Sequence, residues 1–213
     1  MIEKHPLRYM DGRVLKVAMR IVAKLEWYPP DQASNGPELP SNNPHRVSEI
    51  LRTFEASKNE WMTSSHYTEL KDVFAHALKP GSVRALTKIV GMSLGPLWWP
   101  VDAYEGSELE YISPHEQHAL LLGLQRILSE QTDGASQLPC YVQDPINGPT
   151  VGAMLGQCGI TQLNDPAGLL EVDNGTLLVS IASWICVGQI ITDIARPVIF
   201  IWKHCSRDSI FKP

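Results

Sequence analysis

One stretch, residues 86–131, most limits what this chain can fold into. It begins with a short apolar run, LTKIVGMSL (86–94), which is typical of a buried β-strand. The run ends at GPLWWP (95–100), a long loop follows, and SPHEQHALLLGLQRILSEQ (113–131) has apolar residues at helical spacing around a broad face. A strand, a loop and a helix in this order predict the first half of a βαβ unit, and therefore a parallel sheet.

The helix of this unit has a clear start in the sequence. Ser113 is followed by Pro114, which is favourable in the first helical turn, and by Glu116 at the third helical position. Serine and glutamate at this spacing can each bond the backbone N–H of the other. We therefore predict a capping box at this helix N-terminus.

Three helices are predicted before this unit. Residues 14–28 have apolar side chains at helical spacing, namely Val14, Val17, Ile21, Val22 and Leu25. After a loop rich in Pro, Asn, Ser and Gly, a second helix begins at Asn43-Pro44 with an apolar stripe, and a third spans about 65–79. We expect residues 1–80 to form a helical layer packed on the sheet.

Strands and helices alternate after the first unit. Strands are predicted at 138–145, 159–163, 176–182 and 197–202, with the third of these, TLLVSIA, as the central strand of the sheet. The connections are a loop or short helix (149–157), one or two helical turns (165–171) and a short helix (187–195). The fold class is therefore α/β, a Rossmann-like, mostly parallel five-stranded sheet flanked by helices, with residues 81–213 as its core and one compact domain overall.

Composition excludes several classes of protein. A net charge of −5 without a basic stripe disfavours a nucleic-acid partner. The longest apolar stretch, around 177–188, is too short to span a bilayer, and MIEKHPLRYMDGR lacks the apolar core of a signal peptide. The four cysteines have no C-x-x-C spacing, so we predict free thiols, no metal and a soluble cytoplasmic protein. Association of two copies as a homodimer is left open.

The carboxyl ends of the strands are the expected ligand site, because that is where connections diverge in open α/β sheets. The tryptophans of GPLWWP either fill the top of the core or wall an apolar pocket, and both alternatives are open. The substrate-binding candidates are Leu94, Pro96, Trp98, Trp99, Asp144, Ser183 and Trp184. His118 and Tyr104 are the catalytic candidates, as a general acid or base and as an oriented hydroxyl.

No cofactor is predicted. A dinucleotide site needs G-x-G-x-x-G, and the first strand offers only Gly91 and Gly95 before a proline and two indoles. Asp144 can hold a ribose but equally forms a turn before Pro145, and S-adenosylmethionine, which needs less glycine, is the alternative cofactor. A hydrolase triad is disfavoured since G-x-S-x-G is missing.

Several segments together resemble a known family. They are EWMTSSHYTELKDVF (60–74), TKIVGMSLG (87–95), EQHALLLGL (116–124), CYVQDP (140–145), GI (159–160), LLEVDNGTLLVSIA (169–182) and IITDIARPVIFIW (190–202). In this order they resemble the sensitivity-to-red-light-reduced-like domain, in its fungal form. The resemblance implies a Rossmann-like α/β sandwich and regulatory roles, with no established reaction or cofactor.

The chain departs from that family at two places. Members often have a Pro-His-Cys-type segment after the fourth strand, where this chain has ASWICVGQ (182–189). The first strand of the family usually enters a Gly-Ser-type turn, where this chain has GPLWWP. These differences suggest a pocket adapted to a different ligand.

Two functions follow as hypotheses. The first is a cofactor-independent cyclase, isomerase or pericyclase of specialised metabolism, which would fold an apolar substrate into a reactive geometry. The second is a non-catalytic regulatory or ligand-sensing domain, which the resemblance favours. A fold alone does not decide between them.

Overall fold

The computed structural model describes residues 44–78, 86–98, 113–131, 137–181 and 187–202. The predicted helix at 14–28 lies outside these ranges. Within them, six helices are present: α1 (Pro44–Thr63), α2 (Ser65–Ala77), α3 (Pro114–Gln131), α4 (Pro149–Gln157), α5 (Ala167–Glu171) and α6 (Val187–Ile194). The strands are β1 (Lys88–Met92), β2 (Cys140–Gln143), β3 (Thr161–Gln162), β4 (Thr176–Ser180) and β5 (Ile199–Trp202).

The five strands form one sheet in the order β3-β2-β1-β4-β5, and every pair is parallel. This confirms the predicted Rossmann-like α/β fold. The central position belongs to β1, with β4 beside it, so the prediction that β4 is central was wrong by one strand. The chain moves outwards from β1 to β2 and β3, returns to β4, and then continues to β5. The order therefore reverses between β1 and β4, which makes the carboxyl end of that pair the switch point of the sheet.

The first face of the sheet is covered by the longer helices. Side chains from β1, β2, β4 and β5 share one hydrophobic core with α1, α2, α3 and α4. Within this layer α1 packs along α3, and the Phe54 ring lies 6.4 Å from the ring of His118, edge on. Trp61 and Tyr67 approach Gly123 of α3, where an added Cβ would lie only 3.1 Å from the Trp61 indole nitrogen. The helices α1 and α2 are thus fixed to the sheet layer through α3.

The second face has a smaller core beneath α5 and α6. It contains Val90, Met92 and Leu178 from the sheet, with Val172, Val187 and Ile191 packed above them. Side chains alternate between faces along a strand. Ser180 and Gln143 therefore belong to this second face, two residues after Leu178 and Tyr141.

The predicted strands extend further than the observed ladders. The first was predicted over residues 86–94, and β1 occupies only its middle. Leu86 and Leu94 are nevertheless buried in the core. Apolar residues at strand ends continue into the core without pairing, so hydrophobic pattern overestimates strand length.

Candidate functional site

A tight turn follows β1 at the switch point. Ser93 has a φ of 54° and Gly95 a φ of 77°, so two residues of this turn adopt the left-handed region. The Ser93 N–H donates to the carbonyl oxygen of Gln143 at 2.9 Å, which extends the β1–β2 pairing by one bond. An added Cβ on Gly95 would lie 2.9 Å from Cγ of Pro114. The turn is therefore packed directly against the N-terminus of α3.

Asp144 fixes this turn from the neighbouring strand. It follows β2 and is buried, and its Oδ2 accepts a hydrogen bond from the Gly95 N–H at 2.9 Å. Its Oδ1 accepts from the Ile146 N–H at 3.0 Å. Burial raises the pKa of the Asp144 carboxyl, although these two N–H donors act to lower it. The carboxylate thus joins the ends of β1 and β2.

The N-terminus of α3 has the predicted capping box. The Ser113 N–H donates to Glu116 Oε2 at 2.9 Å, and the Glu116 N–H donates to Ser113 Oγ at 3.2 Å. The following residue, Pro114, has no N–H. The N–H groups of Ser113 and Glu116 are therefore bonded to side chains of the same turn, which confirms the capping box predicted from these two residues.

Gln143 holds the segment that leads into α5 at the same carboxyl edge of the sheet. Its Oε1 accepts from the Gly168 N–H at 2.6 Å, and its Nε2 donates to Asp165 Oδ1 at 2.8 Å. An added Cβ on Gly168 would lie 2.6 Å from Cβ of Gln143. The start of α5 is therefore held closely over the end of β2, and both polar atoms of the amide are used.

Ser180, the last residue of β4, differs from Asp144 and Gln143 in its hydrogen bonding. It is 5% exposed, and its buried Oγ has no hydrogen-bond partner among the described residues. Gly91 pairs with Val179, Met92 pairs with Gln143, and Ser180 pairs with Trp202. One row across the second face is therefore Gln143, Met92, Ser180 and Trp202, with the hydroxyl at the switch point.

Comparison with known families gives one match, since a profile of the SRR1 domain matches residues 69–208. The chain belongs to the SRR1 domain family. The matched region includes all five strands and most of the helices of this SRR1 domain, and it leaves out α1. No curated protein and no solved structure matches the chain.

His118, the catalytic candidate from the sequence, and its neighbour His115 lie in α3 on the first face of this SRR1 domain. His118 is fully buried, and its Nδ1 lies 2.7 Å from the carbonyl oxygen of Pro114. Because a carbonyl can only accept, Nδ1 carries the proton and Nε2 is an acceptor, with no partner for it among the described residues. Burial lowers the pKa of His118 to about 4, and the same cause lowers the pKa of His115 to about 4. Both rings are neutral at physiological pH.

The residues that follow β1 turn into the core. Leu94, Pro96 and Leu97 are buried, and Trp98 is 9% exposed within the first-face core. The sequence left open whether Trp98 fills the core or walls an apolar pocket, and this packing corresponds to the first of these alternatives. Contact of Leu94, Pro96 and Trp98 with a substrate stays a prediction.

The structure brings together some of the predicted residues and separates others. Asp144, Leu94 and Pro96 meet at the turn after β1. The catalytic candidate His118 is buried against Phe54 on the first face and is separated from the second-face side chains. Four candidates lie outside the described residues: Trp99, Tyr104, Ser183 and Trp184.

Two polar residues at this edge were not among the sequence candidates, namely Ser180 and Gln143. Both are the last residue of an observed strand and lie two residues before the end of the predicted one, so their position near the carboxyl edge was the available signal. The described parts of the chain contain no cluster of three or more His, Cys, Asp or Glu side chains that could hold a metal ion, and no helix in them is long and apolar enough to cross a membrane.

Proposed function

We propose that this SRR1 domain binds a neutral, largely apolar small molecule at the carboxyl edge of the sheet, between β1 and β4. The observation that carries this proposal is the buried hydroxyl of Ser180, unpartnered among the described residues. A buried polar group without a partner costs roughly 1–3 kcal/mol. A ligand group that bonds Ser180 Oγ would remove that cost, and Met92 beside it offers an apolar contact.

The neighbouring turns support a ligand without negative charge. Phosphate groups bind free backbone N–H groups at a helix start. Here the N–H groups of Gly95 and Ser113 already donate to the carboxylates of Asp144 and Glu116, and Pro96 and Pro114 have none. Two carboxylates at this edge also repel an anion. NAD and other phosphate-containing cofactors are therefore disfavoured at this crossover.

In the catalytic form of this proposal, the domain is a cofactor-independent cyclase, isomerase or pericyclase. Such an enzyme holds a flexible apolar substrate in a reactive conformation and supplies a few hydrogen bonds. The Ser180 hydroxyl would orient one polar group of the substrate. His118 is fully buried on the other face of the sheet, so it would not contact a substrate bound at Ser180.

A second candidate is a ligand-sensing domain without turnover. One specific observation favours it: the polar side chains of Asp144 and Gln143 are both bonded to backbone N–H groups of neighbouring loops. These groups connect the ligand edge to the turn after β1 and to α5. A ligand at Ser180 would stabilise those connections, and a partner would recognise the ligand-bound form of the domain.

The test is native mass spectrometry of the protein purified from its own host, with thermal shift against polycyclic and terpenoid-like compounds, NAD and S-adenosylmethionine. We expect a retained or stabilising neutral organic molecule. Ser180→Ala should lower its affinity about tenfold, since one hydrogen bond is lost. Conversion of the retained compound would then distinguish the enzyme from the sensor.

Thr176→Ala is the matched control on the same strand. The Thr176 hydroxyl is buried at the opposite edge and bonds Asp173, donating to its Oδ1 at 3.0 Å. This variant should lose stability and keep ligand affinity, whereas Ser180→Ala should keep stability and lose affinity. Stabilisation by nucleotides alone, or equal ligand affinity of both variants, would overturn the proposed site.

A further inference from the structure

The two faces of the sheet are covered unequally. On the first face, α1 has 20 residues and α3 has 18, and α2 and α4 add to the layer. On the second face, the described helices are α5 with 5 residues and α6 with 8. A sheet of this type needs both faces covered. Among the described residues, the second face therefore has the thinner helical cover, although its central strand residues Val90, Met92 and Leu178 are buried.

An open groove of about 550 Å³ lies beside this cover, at the amino ends of β1 and β4 and the C-terminal end of α6. It is lined by Val172, Ile194 and Ala195, with the polar turn 173–175 and Thr87 at its end. Ile194 is 52% exposed, and Ile190 lies one helical turn before it on the same flank of α6. Gly188, on the other flank, faces Phe200 of β5. The buried side chains of α6, Val187 and Ile191, face the sheet, whereas its exposed apolar side chains, Ile190 and Ile194, lie on the flank away from Gly188, and Ile194 lines the groove.

The surroundings of the groove include exposed acidic groups. Asp173 belongs to its lining and Asp193 precedes Ile194, and both are exposed. Glu171 and Asp173 both bond Lys88, at 2.8 and 3.0 Å, so one lysine is shared by two carboxylates. An occupant with an apolar stripe and basic groups beside it would fit this surface.

We propose that residues 14–28 of the same chain form an amphipathic helix that occupies this groove. The segment lies outside the described residues, and its sequence has the required chemistry. Its apolar stripe is Val14, Val17, Ile21, Val22 and Leu25. Its basic residues, Lys16, Arg20 and Lys24, are four apart and so share one flank of a helix, next to that stripe.

The length of chain between the segment and α1 permits this placement. Residues 29–43 can span up to about 50 Å when extended. Phe54 of α1 lies beside the first turns of α3, at the carboxyl edge of the sheet, and residues 44–53 precede it. A helix of this length is about 22 Å long, which matches one layer of a small α/β domain. The linker can therefore cross the carboxyl edge from the first face to the second.

Hydrogen–deuterium exchange of the full chain tests this proposal. We expect the amides of residues 14–28 to be protected, and Ile194→Asp to increase their exchange rate at least tenfold. The reciprocal variant, Ile21→Asp, should increase exchange in α6 by a similar factor. In both variants the amides of α3 should stay protected, which shows that the domain is folded.

Ile146→Asp is the matched control. Ile146 is 49% exposed, almost as much as Ile194, but it lies in the loop after β2 at the other edge of the sheet. It should leave exchange in residues 14–28 unchanged. Unprotected amides at 14–28, equal effects of Ile146→Asp and Ile194→Asp, or protection that disappears on dilution would each overturn the proposal, the last by indicating a second copy as the occupant.

Discussion

The carboxylate of Asp144 reaches across from the end of β2 and accepts a hydrogen bond from the backbone N–H of Gly95, 2.9 Å away. This bond fixes the turn after β1 at the switch point of the sheet. Its donor has a left-handed backbone and packs against the first residue of α3. One side chain therefore determines how the first strand is connected to the first-face helix.

Replacing Asp144 should test this connection. Asp144→Ala removes the acceptor for two backbone N–H groups, and we expect it to lower the free energy of unfolding by about 1–3 kcal/mol. Asp144→Asn retains one side-chain oxygen and should cost less. Urea denaturation measures both, and equal stability of the alanine variant and the original chain would contradict the structural role of the bond.

Gly95→Ala is expected to destabilise the domain by about 1–3 kcal/mol. A side chain at a φ of 77° is strained, and the added Cβ would lie 2.9 Å from Pro114. Gly156→Ala is the control, because Gly156 is in helix α4 and an added Cβ meets nothing within 4 Å. That change should stabilise the protein by about 0.5–1 kcal/mol, and thermal melts would show shifts of opposite sign.

Gln143→Glu should make the start of α5 sensitive to pH. The glutamate keeps an acceptor for the Gly168 N–H, but it replaces the donor to Asp165 with a second carboxylate. At neutral pH we expect a loss of about 1–3 kcal/mol, and partial recovery below about pH 5 as one carboxyl is protonated. Gln143→Met cannot ionise, so its stability should not recover at low pH. If Gln143→Glu and Gln143→Met show the same dependence of stability on pH, the explanation is wrong.

The buried imidazole of His118 should make the domain less stable in acid. Its pKa is about 4 in the folded state and near 6.5 when exposed, so the unfolded chain binds more protons between these values. Stability contributed by the neutral ring is complete above pH 6.5 and falls as the pH drops towards 4, by up to about 3 kcal/mol. His115 acts in the same direction.

His118→Leu should flatten this profile in urea titrations between pH 7 and pH 4. It should also lower stability at pH 7 by about 1 kcal/mol, because the bond to the Pro114 carbonyl is lost. His76 is exposed on α2, and His76→Gln should leave the slope unchanged. If His118→Leu and His76→Gln give the same slope, burial of His118 does not explain the acid sensitivity.

Much of the fold could be predicted from the sequence because it depends on residues that are close together in the chain. The capping box depends on two residues three apart, and the helices at 44–63 and 114–131 have continuous apolar stripes. The strand order depends on contacts between distant segments. The apolar pattern therefore identified β4 as buried but could not show that β1, which includes Gly91 in its pairing with β4, is central.

The candidate site was harder to predict from the sequence than the fold. Asp144 was identified because it ends a strand, but its bond to Gly95 requires two segments that are far apart in sequence. Ser180 was passed over as a site candidate in favour of Ser183, since only packing reveals that its hydroxyl is enclosed without a partner among the described residues. Sequence shows which residues are at an edge, and the structure shows which of them are already bonded.

The two-residue strand β3 has a consequence for association between molecules. It forms one outer edge of the described sheet and pairs with β2 through two residue pairs. An edge this short offers few backbone groups to a strand from another molecule, so it resists intermolecular sheet extension and aggregation on that side. The opposite edge, β5, has four residues, IFIW, without a charged side chain to discourage pairing. Within the described sheet, addition of a foreign strand is therefore favoured at β5 over β3, and a lysine placed in β5 would protect the domain more than any change in β3.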